Sequence, residues 1–223
     1  MNFYYGLVDE PTNAWGFVEE TDPRVHEGMV YLTTAEWQAL LSGQSQGKPI
    51  VYYEGRVFND EEPGRHYLDD DGWHRKTDEE YNAENAEKAR QELVQYSYQA
   101  KADKAYGGVI LNDLLIFETN QTAITNTVAS LALMGDTDTA YWKFYTIAGA
   151  PHVQQVTKQQ LAYIAKFGQN MINQCFSVEG QFNTQIEAAT VAQLIDAEWV
   201  AALKASIDAA MGEVNNHITI QFA

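Results

Sequence analysis

Cysteine occurs once in the 223 residues, at Cys175, so no intrachain disulfide can form. That suits a chain folded in a reducing compartment, and the position of Cys175 within an apolar helical stripe reads as a buried thiol. Basic residues are scarce: 14 Lys and Arg stand against 31 Asp and Glu, a formal net charge of −17. Phosphate backbones and anionic membranes are bound by clustered Lys and Arg, so nonspecific nucleic-acid or membrane binding is disfavoured. The longest basic cluster, His74-Arg75-Lys76, is soon followed by Asp78-Glu79-Glu80. No apolar run reaches the roughly 18 residues that span a bilayer, and no basic-then-apolar leader opens the chain. Neither membrane insertion nor a signal peptide is expected.

The usual signatures of catalysis are also missing. The five histidines, His26, His66, His74, His152 and His217, are scattered, with no H-E-x-x-H and no cysteine at zinc spacing. His66 and His74 could approach each other across a hairpin, but solvated strand-face histidines are the simpler reading. Asp69-Asp70-Asp71-Gly72 lacks the alternating ligands and distal Glu of a calcium loop and reads as a turn. There is no G-x-S-x-G, phosphate-binding loop or G-x-G-x-x-G, and Gly107-Gly108 is explained as a helix stop. Glycoside hydrolysis needs two carboxylates about 5–9.5 Å apart. Glu61, Glu62, Asp69 and Asp71 supply carboxylates, but nothing in the sequence pairs them. We therefore expect no enzyme, cofactor or metal; a glycan-acting enzyme is the weakest alternative.

What is present is a core, with 45% hydrophobic and 12% aromatic residues. Its patterning falls into two parts. Residues 1–82 carry 17 acids against 6 bases and are rich in short strands and glycine. Phe3–Val8, Trp15–Glu19 and Val30–Leu32 read as strands, the first two joined by turn chemistry at Pro11-Thr12-Asn13. Thr33 and Glu36 form a T-x-x-E capping box. Trp37, Leu40 and Leu41 then mark one helix face, and Gly43 is the expected stop. Lys48–Glu54 and Arg56–Asn59 form a hairpin turning at Glu54-Gly55. A second hairpin pairs Arg65–Leu68 with Trp73–Lys76.

The later part is mainly helical. Asp78 to about Ala105 is a long polar helix with a thin apolar face at Ala89, Leu93, Tyr96 and Ala100. Val109–Leu111 and Leu114–Glu118 pair across Asn112-Asp113. Thr119 or Asn120 caps a helix with Ile124, Val128 and Leu131 inward, ended by Gly135. Trp142–Ile147 and His152–Val156 are short strands. Thr157 and Gln160 box the next helix, whose inner face runs Leu161, Ile164, Gly168, Met171, Ile172, Cys175 and Phe176. Thr190 and Gln193 box another, carrying Leu194, Ile195, Trp199, Leu203 and Ile207. His217–Phe222 adds a strand. The expected fold class is α+β: a small β-rich domain with a short helix over residues 1–80, then a helical domain over 81–223 containing a β-hairpin at 107–119.

Aromatic side chains concentrate in the two early hairpins. Tyr52, Tyr53, Tyr67 and Trp73, beside Phe58 and flanked by acids, suit hairpin packing, a subunit interface or sugar stacking with hydroxyl hydrogen bonds. Neighbours on a strand face opposite sides, so Tyr52 and Tyr53 cannot share one core, and one of them is expected to be exposed.

The stretch LTTAEWQALLSGQSQGKPIVYYEGRVF resembles the helix, the L-x-x-G-Q-x-x-G-K loop and the following hairpin of tailed-phage tail fibre and tail-fibre assembly proteins. Trp37, Leu40, Leu41, Gly43, Gln44, Gly47, Lys48 and Gly55 carry the likeness. From about Ala86 to Ala210 the chain resembles a domain of unknown function common in phage tail proteins. That likeness rests on Gly107-Gly108-Val109, Asn112, Phe117-Glu118-Thr119, Ile124, Trp142, Val153–Leu161, Cys175-Phe176 and Ile207–Ala210. Asp113 stands where Gly is common, and fibre assembly proteins do not usually end with this second domain. The resemblance implies a structural component of a tail fibre or baseplate, in the virion tail after synthesis in the host cytoplasm. It further implies other tail proteins as partners, a homo-oligomer of three or a multiple of three, and possible host-surface glycan contact. The alternative is a tail-fibre assembly chaperone. No catalytic residue is carried over.

Overall fold

The computed structural model describes residues 2–9 and 14–222; the turn expected at Pro11-Thr12-Asn13 lies outside them. The chain is α+β, and it divides into two compact units, Met1–Glu84 and Asn85–Ala223.

The first unit is built on an antiparallel sheet, β1 (Phe3–Asp9), β2 (Ala14–Glu19) and β3 (Val30–Leu32), ordered β2-β1-β3. Alternation turns Phe3 and Tyr5 to one side, where their partners Leu32, Val30 and Phe17 join them. Helix α1 (Thr34–Ser45) covers that side. Its capping box is formed by Thr33 and Glu36, as the spacing predicts, with Leu40 buried, Trp37 and Leu41 half-buried, and Phe3 stacked on Trp37 at 4.1 Å. Gly43 is not the stop: the helix continues to Ser45 with Gln46 as C-cap, and Gly47 takes the left-handed conformation. Two hairpins follow, β4 (Ile50–Tyr53) with β5 (Arg56–Asn59), and β6 (His66–Asp69) with β7 (Gly72–Arg75). The first turns at Glu54-Gly55, both at positive φ, as a two-residue primed turn requires. The second is tighter than the sequence implied: Asp69 pairs with Gly72, leaving only Asp70-Asp71 in the loop.

Helix α2 (Asp78–Tyr106) packs the apolar face read from sequence against the core, Leu93 buried and Ala89, Tyr96 and Ala100 half-buried, and also buries Ala86, Ser97, Lys101 and Ala105. The second unit's sheet is ordered β11-β10-β9-β8-β12, from β8 (Val109–Leu111), β9 (Leu115–Phe117), β10 (Thr139–Thr146), β11 (Pro151–Thr157) and β12 (His217–Ile218). Asn112 and Asp113 make the expected left-handed turn, but Leu114 bulges out before pairing resumes at Leu115. The tail pairs parallel to β8 over only two residues. Asn112 then holds Ile220 by accepting from its N–H and donating to its carbonyl, both at 2.8 Å.

Helix α3 (Gln121–Leu133) is capped by Asn120, while the Thr119 hydroxyl is buried and donates to the Ala105 carbonyl. Its inner face runs through Ile124, Thr127 and Leu131, so Val128 points outward, contrary to expectation. Helix α4 (Lys158–Ala188) buries Leu161, Ile164, Gly168, Met171, Ile172 and Cys175 as its periodicity predicts, while Phe176 is exposed. The Thr190–Gln193 box caps only α5 (Val191–Leu194). Asp196 then accepts from the N–H groups of Glu198 and Trp199 and starts α6 (Ala197–Glu213) afresh, leaving Ile195 outside the core.

Candidate functional site

The four aromatics singled out in the sequence do not form one patch. Tyr52 shares its hairpin face with Ile50 and Val57 and turns to the first unit's core, 4.9 Å from Trp15. Trp73 reaches the same indole edge-on at 6.4 Å. Tyr53 faces the other way and meets the His66 ring at 5.3 Å. Both tyrosines are half-buried, so the expected exposed member of the pair is absent: hairpin β6–β7 supplies a cover on Tyr53's side. Tyr67 is 42% exposed and stacks on His74, on the opposite face of its hairpin from Trp73.

The same registers bring together a site not anticipated as a unit. Tyr53 pairs with Arg56, placing both on the face that also holds Phe58; His66 pairs with Arg75. These five residues, with Glu54 and Val57, line a cleft of about 630 Å³. His66 lies between Tyr53 and Phe58, with the Phe58 ring edge-on at 5.4 Å. The Asp60 carboxylate, almost fully buried, accepts from His66 Nδ1 at 3.1 Å and from the Glu62 N–H at 3.1 Å. The Asp60 N–H donates to the Pro49 carbonyl at 2.8 Å. The imidazole is thus anchored through Nδ1, and Nε2 is its remaining polar atom. His66 and His74 are on opposite hairpin faces and do not approach as a pair; His74 instead meets Asp69 at 2.9 Å. Among the described residues no group of three or more His, Cys, Asp or Glu side chains is arranged to hold a metal.

The first unit's sequence held one signal for this cleft: the offset between the two hairpin turns puts an arginine opposite Tyr53 and another opposite His66. Which hairpin faces meet is a tertiary fact that alternation alone leaves open.

The second unit carries a different kind of surface. Glu118, five residues of α3 from Ala123 to Leu133, and Tyr141, Trp142, Lys143 and Tyr145 of β10 line a groove of about 550 Å³. Leu133 is 87% exposed and Tyr141 77%. Val153, 62% exposed, pairs with Lys143 and so shares Tyr141's face of the sheet. β11 is the outer strand. Bonds from Thr146 N–H to Ala150 O and from Lys158 N–H to Asp138 O fix the ladder's parity, so the peptide groups of Val153 and Gln155 point away from β10. No residue from Pro151 to Thr157 is Asp, Glu, Lys or Arg.

Comparison of the chain with protein-family models, curated proteins and solved structures returned no match.

Proposed function

We propose that the chain is a structural component of a tailed-phage or prophage tail, acting by assembly and without catalysis. The observation that carries this reading is the surface of α3, β10 and β11. Leu133, Tyr141 and Val153 are exposed there, beside an outer strand whose free edge lacks charged residues, in a chain of net charge −17. Tyr141 and Val153 share one face of the sheet, and exposed apolar surface marks protein interaction sites. An outer strand without charged side chains to guard it invites a strand from another chain. α3 adds to the contrast: Gln121–Leu133 contains no charged residue. The segment likeness to tail fibre and tail-fibre assembly proteins supplies the setting, and rotational symmetry would let one such surface be reused around a trimer.

The test is incorporation. Tyr141→Ser and Val153→Asp alter exposed side chains, so circular dichroism of the double variant should match the parent. Its copy number in purified particles should fall at least ten-fold. Normal incorporation of the folded variant would overturn the surface assignment. A parent chain that co-purifies with fibres from lysates but is missing from particles would make it an assembly chaperone.

A further inference from the structure

The first unit contains six Lys and Arg residues, and the partners of each are informative. Arg24 pairs with Asp22, Lys48 with Glu61, Arg65 with Asp78 and Glu62, and Lys76 with Glu84. Arg56 and Arg75 alone form no ion pair with a described residue, although acids outnumber bases almost three to one in this region. Both line the cleft between the hairpins. Their positions follow from register, each lying directly across a strand pair from an aromatic side chain of the cleft, Tyr53 or His66.

We propose that this cleft binds a saccharide carrying a single carboxylate, a hexuronate or sialic-acid type sugar. Arg56 and Arg75 supply planar donor forks matched to a carboxylate. Tyr53 and Phe58 offer aromatic surface against which the apolar face of a pyranose ring packs. His66, steadied through Nδ1 by buried Asp60, directs Nε2 to a hydroxyl. Glu54, at the hairpin turn, adds an acceptor for further hydroxyls. The volume of about 630 Å³ falls in the usual range for small-ligand sites. The acidic surroundings select against densely charged polyanions, because only the local fork is favourable while the wider field repels. A mono-anionic, hydroxyl-rich ligand fits both. The proposal does not depend on the assembly reading, which concerns the second unit, so either can fail alone.

Isothermal titration of the full chain with galacturonate and with sialyllactose, beside the neutral controls galactose and lactose, tests it. At least one acidic sugar should bind in the millimolar range or tighter, and its neutral counterpart at least ten-fold more weakly. Arg56→Ala and Arg75→Ala should each weaken binding about ten-fold with unchanged circular dichroism, both side chains being exposed. Binding should also weaken several-fold as salt rises, as expected of exposed charge recognition. Three results would overturn the proposal: neither acidic sugar binding, affinity unchanged in the folded Arg56→Ala/Arg75→Ala double variant, or inorganic phosphate binding as tightly as the acidic sugar, which would make this a simple anion site.

Discussion

The Asn59 side chain lies against the backbone of Gly43, bridging α1 to β5. Its Nδ2 donates to the Leu40 carbonyl at 2.9 Å and to the Lys48 carbonyl at 3.3 Å. A Cβ on residue 43 would lie only 2.2 Å from Asn59 Oδ1. Gly→Ala inside a helix ordinarily gains about 0.5–1 kcal/mol. Here the methyl must displace an amide held by two bonds, so Gly43→Ala should instead destabilise by about 1–3 kcal/mol, the cost of stranding buried polar groups. Thermal melts of Gly43→Ala, Asn59→Ala and the double variant check this. In the Asn59→Ala background the Gly43→Ala change should become neutral or stabilising; additive losses would remove the contact from the account.

Leu40 is the buried residue of α1, among Phe3, Tyr5, Leu32 and Ile50. Leu40→Ala should cost about 2–5 kcal/mol, as cavity-forming core changes do. Thr33→Ala removes the cap and should cost about 0.5–2 kcal/mol. Urea titration resolves both, and parent-like midpoints would contradict the role given to this helix.

Two capping boxes predict a pH dependence. The Glu36 carboxylate accepts from the Thr33 N–H and hydroxyl, both at 2.8 Å, which holds it below its ordinary value of 4.5. Thr77 lowers Glu80 in the same way. A folded value below the unfolded one gives stability that is complete above the unfolded value and is lost as pH falls through the folded one. The melting temperature of the parent should therefore fall on acidification from about pH 6 to about pH 3 more steeply than that of Glu36→Gln/Glu80→Gln, since glutamine can make the bond without titrating. Parallel curves would show that the boxes contribute nothing titratable.

Lys101 is buried in the seam of α2 and meets Glu179 at 3.2 Å, with its ammonium over the Tyr98 and Phe176 rings at 4.1 and 4.5 Å. Removing one charge strands the other, so Lys101→Met and Glu179→Leu should each cost about 3–5 kcal/mol. The double variant should recover most of that loss, because an apolar pair avoids desolvating either charge. A double variant as unstable as the sum of the singles would show that the two charges are not coupled and would contradict this account.

The elements themselves were largely legible because their signals are local. The boxes at Thr33, Thr157 and Thr190 mark helix starts, and Glu54-Gly55 and Asn112-Asp113 mark turns through their left-handed backbone. What escaped depended on contacts distant in sequence. Gly43 looked like a helix stop, and only the approach of Asn59 explains it. Lys101 carries no sequence signal of burial, because its partners Glu179 and Phe176 lie far along the chain. Ile195 fits a continuing helix by periodicity, and Asp196, although a favoured N-cap residue type, shows its capping role only through its bonds to Glu198 and Trp199. The cleft was half visible: its aromatics drew notice in the sequence, but Arg56 and Arg75 acquire meaning only when the hairpins meet and every other cation nearby is paired.

The central claim, that this chain works as a built-in part of a tail, is tested most directly by quantitative mass spectrometry of purified particles from a lysate expressing it. The account predicts that the chain is present at a fixed copy number, a multiple of three, resistant to high-salt washing. Its absence from washed particles, with abundant chain left in the cleared lysate, would contradict it.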